Sequence, residues 1–180
     1  MKFNLAFTSP INPPHAYPPL SQTQVWNGLL RKCRRPQDFI DVMADCHILH
    51  EDANGMKRLM MFKPGTGPPS NRATEMLTYH PQTTVRIFAP SPYELILYAA
   101  FAKKIDILSV EAGNFMTNTI SRGQGAHELF LTYTFDGEFL DIVEGTPQAL
   151  NMGRQLTDEL SRVVPETVEQ IRAWARAGEL

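Results

Sequence analysis

The sequence predicts an α+β fold in which a curved antiparallel sheet wraps around a long C-terminal helix, with two short helices after the first strand. Three observations predict it. A capped apolar stripe begins near residue 21, short alternating segments fill the middle, and a long amphipathic stretch closes the chain. A sheet with one apolar face needs a cover, and the last stretch is the available one.

Residues 3–8 (FNLAFT) alternate weakly and read as a first strand. Pro10, Pro13, Pro14, Pro18 and Pro19 then mark an extended connector, because proline cannot donate ladder hydrogen bonds. Ser21 is a good helix cap, with Gln24 at capping-box spacing and Leu20 and Val25 placed for a hydrophobic staple. Val25, Trp26, Leu29, Leu30 and Cys33 form one stripe at helical spacing. Pro36 stops this helix and opens a second short one, with Phe39, Ile40, Val42 and Met43 as its buried side.

Strands follow. Residues 46–52 and 56–62 flank Asn54-Gly55, a strong hairpin signal. Residues 63–71 are a loop by composition. Residues 73–79 form the next strand, closed by His80-Pro81, and 83–89 pair back onto it. Residues 90–105 read as a short helix or an irregular insertion. Strands at 105–111 and 115–121 flank a turn at Ala112-Gly113-Asn114, and Gly123 and Gly125 mark another turn. Residues 127–139 are rich in Phe, Tyr, Thr and Leu, as strands favour. Thr146 caps the final helix, Pro147 takes its first position, and Gly178 ends it after Ala177. Leu156, Leu160, Val163, Val164, Thr167, Ile171 and Trp174 line one side, and Pro165 predicts a kink near residues 161–165.

The 180 residues fit one domain spanning 1–180. A net charge of −2 leaves no electrostatic footprint for nucleic acid. The basic cluster Arg31-Lys32-Cys33-Arg34-Arg35 falls at a helix C-terminus, where cations complement the dipole. Cys33 and Cys46 give neither a disulfide framework nor metal spacing, and read as buried free thiols. The longest apolar run, Leu95 to Ala102, is far short of the ~20 residues of a membrane span. The expectation is a soluble, cytoplasmic protein.

Four residues carry candidate chemistry. In strand 127–139, Leu129, Leu131, Tyr133 and Phe135 share the more apolar face, so the Tyr133 hydroxyl either meets a ligand or reaches a backbone carbonyl. Asn118 is mid-strand, where Asn is disfavoured, and serves as a pocket amide or a bridge between strands. Glu75 shares a face with Leu77 and Tyr79. It is either a general acid/base or an edge residue reaching solvent. His80 shuttles protons at a cavity mouth or simply closes a turn. His47 and His50 fall on opposite faces of a regular strand, which argues against a shared metal. Ser121 to Gly125 matches neither a Walker nor a dinucleotide spacing, so no nucleotide cofactor is expected.

INPP (11–14), QVWNGLLRKCRRPQDF (24–39), MTNTISRG (116–123), ELFLTYTF (128–135) and VEGTPQA (143–149) together suggest a family. The chain resembles the START-like or SRPBCC superfamily, whose members share the helix-grip fold, and within it the AtaL-like group. The resemblance implies a cavity between sheet and C-terminal helix, holding an apolar small molecule or biosynthetic intermediate without cofactor or metal. The inward faces would supply its walls: Tyr79, Leu77, Met116, Asn118, Leu129, Leu131, Phe135, Leu160, Val164 and Ile171. Glu75, Tyr133 and His80 are the catalytic candidates. Three functions compete: a cyclase-like protein of specialised metabolism, a carrier without turnover, and an interaction module with a filled pocket. The chain departs from the family pattern at residues 82–104, where about 20 extra residues separate Tyr79-His80-Pro81 from Ile105-Asp106; this atypical stretch reads either as a lid or as a gene-model artefact such as a retained intron.

Overall fold

The computed structural model describes residues 1–66, 70–89, 114–125, 127–139 and 142–180. The predicted strand 105–111, the turn after it and most of the insertion lie outside these.

Seven strands form one antiparallel sheet: β1 (Lys2–Pro10), β2 (Met43–Glu51), β3 (Gly55–Phe62), β4 (Arg72–His80), β5 (Thr84–Ala89), β6 (Asn114–Arg122) and β7 (Leu129–Glu138). Their spatial order is β1-β7-β6-β5-β4-β3-β2. The first strand therefore pairs with the last, and β2 is the far edge. Helix α1 (Gln22–Arg34) and the long helix α2 (Pro147–Arg176) cover the inner face. This is the predicted architecture, with β5 pairing back onto β4 as expected.

Local signals act as read. Ser21 accepts from the Gln24 amide, and the Gln24 side chain accepts from the Ser21 amide. Thr146 caps α2 through the Ala149 amide, and Gly178 takes the left-handed conformation at φ +72°. Helix α2 continues through Pro165. The second short helix is a single 3-10 turn, Pro36–Asp38, and Met43 begins β2 instead of closing a helix. The chain is drawn into the sheet there because Met43 pairs with Phe62 and buries its side chain with Ile40 and Met60.

Register sets two rows across the inner face. One runs Tyr79, Val85, Asn118, Tyr133, Phe7 from β4 to β1. The other runs Met56, Leu77, Ile87, Met116, Phe135, Leu5 and is wholly apolar. The polar groups of the first row thus lie directly beside an apolar one.

Two irregularities matter. The β2–β3 register shifts between Ile48 and His50. His47 pairs with Leu59 and His50 with Lys57, so both histidines share the outer face, contrary to the regular-strand expectation. Both are exposed, and each lies 3.6 Å from its own carboxylate, Asp45 or Asp52. The second is the close approach of α1 to α2. A Cβ on Gly28 would sit 2.5 Å from Cγ1 of Ile171, so only glycine lets the helices meet there.

Candidate functional site

The inner face of β3 reads Met56, Arg58, Met60, Phe62, so period-2 geometry alone turns Arg58 inward. Glu75 stands directly opposite it on β4. Both are buried, Glu75 completely. Arg58 donates from Nε to Glu75 Oε2 at 2.7 Å and from Nη2 at 2.5 Å. Its Nη1 donates to the Cys33 carbonyl at the end of α1. Among the described residues, none donates to Glu75 Oε1. Glu75 is therefore neither an edge residue nor a free acid: it holds the guanidinium in place.

A small cavity lies beside this pair, of about 20 Å³, which is room for about one water. Leu29, Lys32, Cys33, Pro36 and Ile40 line it from the α1 side. Arg58, Val85, Ile87, Asn118 and Tyr133 line it from the sheet, and Val163 from α2. Asn118 and Tyr133 are a direct cross-strand pair, and both are buried. The polar lining is rich in donors: guanidinium, ammonium, amide and phenol.

Of the expected wall residues Asn118 lines the cavity, and so does the catalytic candidate Tyr133. Leu77, Met116, Leu129, Leu131, Phe135, Leu160, Val164 and Ile171 are packed into the main core. Tyr79 also faces inward, with its ring edge-on to Trp26 and its hydroxyl donating to Glu51 at 3.2 Å. Burial, the Cys33 thiol and the Glu51 carboxylate push that phenol well above its usual range. His80 is exposed on the opposite face of β4. Alternation along β4 puts Glu75, Leu77 and Tyr79 inside and His80 outside, so the structure does not bring His80 to the group. Glu75 also lies four residues along β4 from the row of Asn118 and Tyr133. Arg58, its partner, lines the same cavity as Asn118 and Tyr133.

A family model described as AtaL, acetylaranotin biosynthesis cluster protein L, matches residues 5–178. The chain belongs to the AtaL family. Acetylaranotin biosynthesis cluster protein L of Aspergillus terreus is 34% identical over 65 residues, 35% of this chain and 42% of that protein. The match thus spans less than half of that relative. Among solved structures, the Zhui aromatase/cyclase from Streptomyces sp. R1128 has a TM-score of 0.60 over 99% of this chain and 98% of its own, at 11% identity. The di-domain ARO/CYC StfQ from the steffimycin pathway has a TM-score of 0.61, covering 97% of this chain and 52% of that one, at 12% identity. Likeness at such identities shows the fold, which is the helix-grip fold.

In this AtaL family member, Lys32 and Arg58 are the cavity cations that the sequence reading did not assign to the site. Signals for both were present. From Val25, helical spacing i+3, i+4, i+7 and i+8 selects Gly28, Leu29, Lys32 and Cys33, so Lys32 shares the apolar stripe. Arg58 alternates with methionines. The basic cluster divides accordingly: Arg31 pairs with Glu179, Arg34 with Glu51, Arg35 with Asp38, and Lys32 turns inward. Among the described residues no group of His, Cys, Asp and Glu is assembled to hold a metal, and no helix is long and apolar enough to cross a membrane.

Proposed function

We propose that the chain acts in secondary-metabolite biosynthesis by holding an apolar, carbonyl-bearing intermediate between sheet and α2 and steering its cyclisation. The observation that carries this reading is the row of buried donors, Asn118 and Tyr133, set in an apolar interior beside Arg58. Donors at fixed positions orient carbonyl oxygens and stabilise negative charge developing on them, and a dry interior strengthens both effects. Family membership and the aromatase/cyclase fold neighbours support the same reading. Glu75 acts as a positioning residue through Arg58. Leu77, Met116 and Phe135 give the apolar floor. The free thiols of Cys33 and Cys46 suit a cytoplasmic setting.

One observation favours a second reading. The cavity of about 20 Å³ must widen before any intermediate enters, as a filled interaction module would not. Incubation with a synthetic tri-β-ketide thioester, followed by native mass spectrometry and product chromatography, separates the two. The first reading expects a retained ketide and faster cyclisation, reduced by Asn118→Ala and Tyr133→Phe. An empty protein with unchanged cyclisation would leave the filled module.

A further inference from the structure

Among the described residues, Lys32 is the cavity cation to which the ion-pair pattern assigns no anion. Among the described residues, each nearby carboxylate is already engaged. Glu75 holds Arg58 at 2.5 Å, Asp38 holds Arg35 at 2.9 Å, Glu166 holds Arg162 at 2.7 Å and Glu169 holds Arg172 at 3.3 Å. Lys32 Nζ instead donates to Thr167 Oγ1 at 2.8 Å and lies 5.4 Å from the centre of the Phe39 ring. Thr167 and Phe39 also line an open groove of about 380 Å³ between the 3-10 turn and α2. The amine therefore stands between the inner cavity and a groove wide enough to admit a small molecule.

We propose that Lys32 is a reactive amine that condenses with a carbonyl of a 1,3-dicarbonyl compound. The inference rests on the reading that the site receives a carbonyl-bearing intermediate, and it names the substrate class. In the step, the neutral Nζ attacks the carbonyl carbon to give a carbinolamine. Loss of the carbonyl oxygen as water, with both amine protons, leaves an imine. With a 1,3-dicarbonyl the imine shifts to an enaminone, its N–H bonded to the second oxygen. No oxidant or reductant is needed. A desolvated lysine beside another cation is the general setting for such a nucleophile. Burial here lowers the Lys32 pKa to about 8, with Arg58 from β3 acting in the same direction and the neighbouring Cys33 thiol opposing it.

Acetylacetone is the probe. The intact protein is incubated with it near neutral pH, the enaminone band in the near ultraviolet is followed, and adducts are mapped by peptide mass. Lys32 should label about tenfold faster than the exposed Lys2, Lys57 and Lys63, because more of it is unprotonated. The rate should climb with pH to a plateau above about 8, and the fast phase should vanish in Lys32→Met. Thr167→Val removes the oxygen that favours the ammonium, so its profile should move to lower pH. Labelling of Lys32 no faster than Lys57, or a profile indifferent to Thr167→Val, would overturn the assignment. A protein that retains the tri-β-ketide thioester but leaves Lys32 unlabelled keeps the binding reading and loses this one. Fast labelling without ketide retention does the reverse.

Discussion

Arg58 and Glu75 face each other across β3 and β4, closed to water, and bound through two nitrogens of the guanidinium. Removing one partner strands a charge in the interior. Glu75→Leu should therefore cost about 3–5 kcal/mol in urea unfolding. Arg58→Met together with Glu75→Leu should recover most of that loss, since apolar replacements of similar volume suit such a site. A double variant as unstable as the single one would show that the Arg58 bond to the Cys33 carbonyl, not the ion pair, dominates.

Gly28→Ala should destabilise the chain by about 1–3 kcal/mol, because overpacking forces side chains from their rotamers. The added methyl meets Cγ1, Cδ1 and Cγ2 of Ile171 within 2.9 Å, so the whole side chain must move. Ile171→Ala should relieve the clash, making the pair of changes clearly non-additive in a double-mutant cycle.

Stability should rise between about pH 8 and 9. The Lys32 pKa is about 8 in the folded chain against 10.5 for an ordinary lysine, so the unfolded chain holds more protons above pH 8. Cys33 acts oppositely from pH 9 upward, because burial raises its pKa from 9.0 to about 11. The clean window is therefore the unit between them, worth about 1 kcal/mol. Urea midpoints across that range should show the rise in the native sequence and no rise in Lys32→Met, where the Cys33 effect alone remains.

Arg172 is completely buried, and its guanidinium donates to the carbonyls of Ile11 and Pro18. Arg172→Met should leave both carbonyls short of a donor and cost about 2–3 kcal/mol. Arg172→Lys should not rescue it, since one ammonium cannot reproduce the fork. Limited proteolysis should then cut between residues 11 and 20 earlier than in the native sequence.

Cys33 should resist iodoacetamide at pH 8 until the chain unfolds, since its thiol stays protonated and buried. The half-buried Cys46 should label first. Peptide mapping over a urea series separates the two.

Elements specified by neighbours in the chain were legible: the Ser21 box, the alternation of β7 and the Thr146 cap each depend on residues a few positions apart. What escaped were charges whose partners are distant. Arg58 reads as part of an exposed hairpin until register sets Glu75 opposite. Lys32 reads as one of four surface cations until α2 places Thr167 over it. His47 and His50 were misplaced because one bulge residue reverses the facing of all that follow. The site depends on long-range pairing, which local patterns do not encode.

The pairing of β1 with β7 has a consequence for how the chain is made. Strand β1 has no β7 partner until residues 129–138 have followed it from the ribosome. The proline connector waits longer still, for Arg172. Residues 2–10 must therefore wait until β7 is made, so this edge of the sheet closes late. The prolines after β1 suit that interval: they keep the waiting segment from adding to another strand's edge.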